Sequence, residues 1–168
     1  AYSKCDMTQP HLMGVINITP DSFYNNSKKQ DYISVQKTLK KMENYGASII
    51  DIGGESTRPG SKNISTYEEQ RRVIQIIKSF RQQHDFKPLI SLDTRNFSTM
   101  KLGYENGVDI LNDISGFDSQ NKINFVSKNK IPIVVMHMQK EPNTMQNDPK
   151  YSFAPTDIYN FFKVKIRE

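Results

Sequence analysis

The sequence predicts an α/β protein with a parallel β-sheet, and two observations support this fold class. Five short apolar runs alternate along the chain with longer amphipathic segments, and strict alternation of strand and helix is typical of parallel sheets joined by crossover helices. The apolar runs are nearly continuous and rich in Ile and Val, as expected for strands that are buried on both faces. The alternation does not show whether the sheet closes on itself.

Each apolar run is predicted to form a strand, and each amphipathic segment a helix. The predicted strands cover residues 12–18, 48–52, 89–92, 109–111 and 131–136. The predicted helices cover residues 32–45, 66–83, 97–106, 122–129 and 156–167, in which apolar residues recur at helical spacing.

Local signals mark several of the helix ends. The first helix is predicted to end before Gly46, since glycine readily adopts the left-handed conformation that terminates helices. The second opens with Ser65-Thr66-Tyr67-Glu68, which has the spacing of a capping box. Gly107 follows the third helix in the same way. These signals agree with the boundaries that the apolar periodicity suggests.

Composition excludes several classes of protein. The chain of 168 residues is long enough for one domain, and 36% hydrophobic and 24% charged residues are typical of a soluble globular protein. No apolar run approaches the roughly 18 residues of a membrane span. One cysteine permits no internal disulfide, which favours a reducing cytoplasm. The net charge of +5 comes from scattered lysines with acidic residues between them, which disfavours nucleic-acid binding.

Polar or soft side chains occur where each predicted strand ends. They are Asn17, Asp51, Asp93, Asn112 with Asp113, and Met136. A single such residue often caps the next helix or forms a turn. Five in succession favour a ligand site, because the carboxyl ends of parallel strands meet at one edge. Amides and carboxylates without a nucleophile–base pair suit hydrogen bonding to a polar heterocycle.

Two loops add to this edge. Residues 19–31 are predicted to form a long polar loop. The loop over residues 53–63 contains a glycine pair, which lets a ligand approach the backbone closely, and Arg58, whose planar guanidinium can bind an oxyanion.

The strings at the strand ends are long and specific. Residues 13–23 read Met-Gly-Val-Ile-Asn-Ile-Thr-Pro-Asp-Ser-Phe, and residues 51–60 read Asp-Ile-Gly-Gly-Glu-Ser-Thr-Arg-Pro-Gly. Shorter strings follow at residues 91–94, 111–116, 136–138 and 142–146. In content and order, these strings resemble the signatures of dihydropteroate synthases.

The resemblance implies a fold and an activity. The fold would be a (β/α)₈ TIM barrel, of which about the first five βα units are present, with residues 11–168 in the barrel and residues 1–10 as an extension or linker. The activity would be condensation of 6-hydroxymethyl-7,8-dihydropterin diphosphate with p-aminobenzoate, giving 7,8-dihydropteroate and pyrophosphate in folate biosynthesis. The family is cytoplasmic, uses Mg²⁺, is the sulfonamide target and commonly forms homodimers.

The resemblance also implies roles for individual residues. Asn17 would bind Mg²⁺, Asp93 and Asn112 would hydrogen-bond the pterin, Met136 would pack beside it, and Asp51 would line the pocket. The remaining residues lie on two mobile loops: Thr57 and Arg58 would contact the diphosphate, while Asp21, Ser22 and Phe23, with the Arg58-Pro59 turn, would order around p-aminobenzoate. Asp93, Arg58 and Asp21 are the predicted catalytic residues.

The chain is shorter than the family pattern requires, because a complete barrel needs roughly 250 residues. The later motifs of the family are absent, and an open five-stranded sheet would leave unpaired edges. We therefore expect that this segment alone is not a competent catalyst, and that it forms the first portion of the enzyme. A start without Met also allows fusion behind another folate-pathway domain.

Two other functions compete with the synthase. A pterin-binding methyltransferase domain, which passes a methyl group from methyltetrahydrofolate to a corrinoid, shares the barrel but would not be expected to carry the two long loop strings. A non-catalytic half-barrel, acting as a partner subunit for another chain, is the alternative from a different functional class.

Overall fold

A computed structural model describes residues 8–18, 28–55, 64–83, 85, 87–139 and 148–168. Strands and helices alternate within these residues in the order β1 (Leu12–Asn17), α1 (Lys28–Asn44), β2 (Ala47–Gly53), α2 (Thr66–Arg81), β3 (Leu89–Asp93), α3 (Phe97–Glu105), β4 (Ile110–Asp113), α4 (Gln120–Asn129), β5 (Ile133–Val135) and α5 (Ala154–Lys165). The strands form one parallel sheet in the order β1-β2-β3-β4-β5. The predicted α/β fold class is therefore confirmed.

The strand order determines where the core lies. Each strand pairs with the next one along the chain, and right-handed crossovers then place the connecting helices on the same face of the sheet. On that face, the buried side chains of Ile52 and Leu92 belong to one apolar cluster with Ile77 and Phe80 of α2. Because side chains alternate along a strand, the neighbouring residues of β2 and β3 point to the opposite face, where the polar residues lie.

Helix α2 begins at the predicted cap. The Glu68 amide donates a hydrogen bond to Ser65 Oγ at 3.2 Å, which satisfies one of the free N–H groups of the first turn. The Glu68 carboxylate accepts hydrogen bonds from Arg71 and Arg72. The predicted N-terminus is confirmed, and the helix ends two residues before the predicted boundary at Gln83.

Loss of this cap is expected to weaken the fold modestly. Ser65→Ala should lower the free energy of unfolding by about 1 kcal/mol, because the Glu68 N–H loses its acceptor. Urea titration followed by circular dichroism measures the change. Ser127→Ala is the control, since Ser127 is exposed within α4. Equal stability of the two variants would contradict this account of the cap.

Several predicted boundaries differ from the structure by about two residues or more, and two of the errors concern the predicted site. The loop predicted over residues 19–31 is too long, because α1 begins at Lys28; its first residues, Lys-Lys-Gln-Asp, are all polar and give no apolar periodicity. Asn112 and Asp113 were expected just beyond the fourth strand, but they are the last two residues of β4.

Within the described residues, the burial on both faces that was predicted for every strand is not observed for β1 and β5. Leu12 and Val15 of β1 are 64% and 56% exposed, and Ile133 of β5 is 41% exposed. Each of these strands pairs with a single neighbour among the described residues, whereas β2, β3 and β4 each pair with two. Apolar composition alone does not distinguish an edge strand from a central one.

None of the helices in the part of the chain that the structure describes has the length and apolar character required to cross a membrane.

Candidate functional site

The strand register brings three of the predicted site residues, Asn17, Asp93 and Asn112, into one row with Gly53. Asn17 of β1 pairs with Gly53 of β2, Gly53 pairs with Asp93 of β3, and Asp93 pairs with Asn112 of β4. All four residues lie at the carboxyl end of their strands. Paired residues of a parallel sheet point to the same face, so the three polar side chains lie side by side.

A second polar layer lies on the same face of the sheet, two residues further from the carboxyl ends of the strands. Asp51 pairs with Ser91, two residues before Gly53 and Asp93. Asn112 Nδ2 donates a hydrogen bond to Asp51 Oδ2 at 3.1 Å, which links the two layers. Asp51 Oδ1 and Ser91 Oγ are buried and have no hydrogen-bond partner within the described residues. Since buried polar atoms are nearly always paired, this face of the sheet suits a polar ligand or ordered water.

Gly53 leaves space in the middle of the row. A β-carbon built on it would lie 2.8 Å from Asn17 Oδ1 and 3.6 Å from Asp93 Oδ2. The amide oxygen of Asn17 and the carboxylate of Asp93 therefore flank the position that any larger residue would fill. Gly53 is needed here for close approach, not for an unusual backbone angle.

The Asp93 carboxyl group is electrostatically unusual. Burial is the main cause that raises its pKa to about 7, and the nearby carboxylates of Asp51, Glu69, Asp113 and Glu55 raise it further. A carboxyl group that changes charge near neutral pH is typical of a functional site.

The carboxyl end of β4 is held by a buried ion pair that the sequence analysis did not identify. Lys122 Nζ lies 3.0 Å from Asp113 Oδ2, and the Asp113 side chain is fully buried. Asp113 also accepts hydrogen bonds from the backbone N–H groups of Ser115 and Phe117. The pair therefore fixes the turn that follows Asn112.

Sequence reasoning also missed Glu69 and Arg72, which are buried in α2. A signal was present in both helices. Glu69 and Lys122 each lie four residues before a buried valine on the apolar stripe of their helix, namely Val73 in α2 and Val126 in α4. A charged residue on an apolar stripe requires a buried partner. This requirement could have pointed to the segments at the ends of β3 and β4, where the partners of Glu69 and Lys122 lie.

At the carboxyl end of β5, the chain packs against aromatic side chains of α5. Met136 follows β5 and is half-buried, and its carbonyl oxygen would lie 2.9 Å from a β-carbon on Gly116. The neighbouring His137 ring contacts Phe161 of α5 edge to face, with centroids 4.8 Å apart. Met136 thus lies beside the turn that follows β4.

The loop residues predicted to bind substrate lie outside the described residues. They are Asp21, Ser22, Phe23, Thr57, Arg58 and Pro59. Among the residues that the structure does describe, no group of three or more His, Cys, Asp or Glu side chains could hold a metal ion.

Comparison with known proteins agrees with this geometry. The family model described as "Pterin binding enzyme" matches residues 13–168. The dihydropteroate synthase of Escherichia coli K12 is 37% identical over 164 residues, which are 98% of this chain and 57% of that protein. The mitochondrial folate synthesis bifunctional protein of Arabidopsis thaliana is 36% identical over 94% of this chain and 29% of its own length.

A solved structure gives the same result for the fold. The Yersinia pestis dihydropteroate synthase, determined as a complex with a sulfonamide drug, superposes with a TM-score of 0.85 at 34% identity. The match covers 97% of this chain and 58% of the Yersinia chain. The described strands thus correspond to about half of that fold, which confirms the predicted barrel of which this chain forms one part.

The chain spans little more than half the length of the bacterial synthase that it resembles. The resemblance drawn from the two long strings is confirmed, since both lie within the matched residues. The match of the family model over residues 13–168, within which the polar row lies, shows that this chain belongs to the family of pterin-binding enzymes.

Proposed function

We propose that the natural protein carrying this chain is a dihydropteroate synthase, which condenses 6-hydroxymethyl-7,8-dihydropterin diphosphate with p-aminobenzoate and releases pyrophosphate. The observation that supports this most directly is the row of Asn17, Gly53, Asp93 and Asn112 above Asp51, in a chain whose relatives are synthases. The carboxylates of Asp51 and Asp93 offer acceptors, and the Asn112 side chain offers an amide, to the N–H groups and carbonyl of a pterin ring.

The proposed chemistry needs little covalent participation from the protein. As pyrophosphate leaves the pterin methylene group, positive charge develops on the pterin, and the p-aminobenzoate nitrogen attacks that carbon. The carboxylates of Asp51 and Asp93 lie where they can stabilise this charge. Asn112 orients the ring, and Met136 packs beside it. The protein thus accelerates the reaction by positioning two substrates.

Asn17 is the proposed Mg²⁺ ligand. Its Oδ1 atom is directed into the space above Gly53, and a hard cation prefers oxygen ligands of this kind. A single protein oxygen would suit Mg²⁺, because this ion usually keeps several waters and binds substrate phosphates. When bound, the ion neutralises charge on the departing pyrophosphate.

The two loops would complete the site. We propose that Thr57 and Arg58 bind the diphosphate, and that Asp21, Ser22, Phe23 and Pro59 enclose p-aminobenzoate. Closure would exclude water from the reactive cation. We further propose a cytoplasmic homodimer that sulfonamides inhibit as analogues of p-aminobenzoate, and analytical ultracentrifugation tests the dimer.

Pyrophosphate release tests the function directly. The natural gene product is given dihydropterin diphosphate, Mg²⁺ and p-aminobenzoate, with and without a sulfonamide. We expect sulfonamide-sensitive release. The 168-residue segment is assayed beside it, and activity of the segment alone would refute the expectation that it is not a competent catalyst. If the segment and a chain of about 250 residues are both inactive, the synthase proposal is wrong and a half-barrel partner subunit replaces it.

Filling the space at Gly53 is expected to impair binding of the pterin substrate. In Gly53→Ala, the new methyl group would meet Asn17 Oδ1 at 2.8 Å, so the Asn17 side chain must move. We expect kcat/KM for dihydropterin diphosphate to fall about 100-fold, as for a reactive group misplaced by about 1 Å. Steady-state kinetics measure this, and circular dichroism verifies the fold. Wild-type kinetics in a folded variant would show that the space is not used.

A further inference from the structure

Helix α2 carries two buried charged side chains that the proposed chemistry does not use. Glu69 and Arg72 are 1% and 6% exposed and lie in its first two turns. Ionised groups at this depth are costly unless they are fully paired. Their partners therefore indicate what they hold in place.

Glu69 holds the segment that follows Asp93. Its Oε1 accepts a hydrogen bond from Thr94 Oγ1 at 2.6 Å. Its Oε2 accepts hydrogen bonds from Asn96 Nδ2 at 2.9 Å and from Thr99 Oγ1 at 2.7 Å. All three donors lie between the end of β3 and the first turn of α3, so a single carboxylate fixes the β3–α3 connection.

Arg72 holds the residues that follow Asn17 and Gly53. Its Nη1 donates hydrogen bonds to the carbonyl oxygens of Gly54 at 2.9 Å and Ile18 at 3.4 Å. Ile18 immediately follows Asn17 at the end of β1, and Gly54 immediately follows Gly53 at the end of β2. One guanidinium therefore ties together two of the strand ends that form the site.

The chain after β2 packs closely against α2 beside Glu69. A β-carbon on Gly54 would lie 3.0 Å from Glu69 Cγ and 2.9 Å from Val73 Cγ1, so the chain after β2 lies directly against α2. Three of the residues that Glu69 and Arg72 contact, namely Ile18, Gly54 and Thr94, directly follow Asn17, Gly53 and Asp93. Side chains that served only stability could contact the core anywhere, but Arg72 contacts the residues that directly follow β1 and β2, and Glu69 contacts the residue that directly follows β3.

We propose that Glu69 and Arg72 are positioning residues. They fix the carboxyl ends of β1, β2 and β3 relative to one another, so that Asn17, Gly53 and Asp93 bind the pterin and its diphosphate in reacting geometry. This inference rests on the proposed function, because it assigns those three positions to the pterin substrate. Groups that orient the substrate-contacting residues are worth roughly 10- to 100-fold in comparable sites.

The sharpest test changes one hydroxyl group. Thr94→Val keeps the side-chain volume but leaves Glu69 Oε1 without its donor, whereas Thr94→Ser keeps the donor. Glu69→Gln removes the charge, and Glu105→Gln, at the exposed end of α3, is the matched control. The natural gene product is used throughout. Kinetics, calorimetric affinity for dihydropterin diphosphate and melting temperature are measured for each variant.

We expect Thr94→Val and Glu69→Gln to weaken pterin affinity and lower kcat/KM by roughly 10- to 100-fold. Thr94→Ser should regain most of the loss, and Glu105→Gln should behave as wild type. A fall in melting temperature with unchanged affinity and kinetics in Thr94→Val would overturn the inference, whether or not Glu69→Gln folds.

The same measurements separate this inference from the proposed function. If the wild type binds the pterin but releases no pyrophosphate, the proposed function fails, and affinity alone decides the positioning role. If the wild type binds no pterin, both are overturned.

Discussion

Asp93→Asn is expected to remove most of the proposed synthase activity. The carboxylate offers only acceptors to the N–H groups of the pterin, whereas an amide replaces one oxygen with a donor. A hydrogen bond to a charged group contributes about 1.5–3 kcal/mol, so kcat/KM should fall roughly 10- to 100-fold. Pyrophosphate release and calorimetric affinity for the pterin substrate measure the effect. Asp148→Asn, which makes the same change at an exposed position, is the control.

Asp93 also predicts a pH dependence. The pKa of Asp93 is about 7, so the carboxylate form increases as pH rises through neutrality, and wild-type affinity for the pterin should rise with it. Asp93→Asn should show no such rise. Unchanged turnover in the variant, or an identical pH profile in both proteins, would rule out the proposed pterin contact.

The same shift predicts an effect on stability. The pKa of Asp93 is raised from 3.8 to about 7, so the folded protein binds more protons than the unfolded chain between these values. The contribution of Asp93 to the stability of the ligand-free protein therefore falls as pH rises through this window, and the deficit is complete above it. Asp93→Asn lacks the deficit. Its melting temperature should exceed that of the wild type at pH 8, and the difference should vanish near pH 3.

Lys122→Met is expected to have the largest effect on stability. The variant leaves the fully buried Asp113 carboxylate without its cation, and breaking a buried pair in this way costs about 3–5 kcal/mol. The turn after Asn112 should loosen, because Lys122 Nζ also donates to Ser115 Oγ at 2.8 Å. Urea titration measures the loss.

Two further variants control this experiment. Lys128→Met makes the same substitution at an exposed position of the same helix and should change stability by less than about 0.5 kcal/mol. Adding Asp113→Asn to Lys122→Met removes the uncompensated charge and should recover part of the loss. If Lys122→Met is as stable as Lys128→Met, the pair does not stabilise the turn.

The fold class could be predicted from the sequence because the signals for strands and helix ends are local. Buried strands such as β3 are continuous apolar runs, and the cap at Ser65 is read from four consecutive residues. The alternation then limits the topology to a parallel sheet. Exposure of β1 and β5 was not predictable in this way, since it depends on which strands lie beside them and not on their own composition.

The site was predictable only in part. Asn17, Asp93 and Asn112 could be placed together because parallel strands end at one edge. The hydrogen bond between Asn112 and Asp51 depends on register, which apolar runs do not specify. The contacts of Glu69 join residues that are 25 to 30 positions apart, and no local pattern encodes such a pairing.

The sequential strand order has a consequence for how this protein is made. Each strand pairs with the next strand to be synthesised, so every pairing closes a loop that contains one helix and its connections. The entropy of closing a loop grows slowly, by about 0.6 kcal/mol for each doubling of length, so no step is much costlier than the others. The sheet can therefore grow strand by strand from β1 as the chain leaves the ribosome, and the row from Asn17 to Asn112 is in place once β4 has joined it.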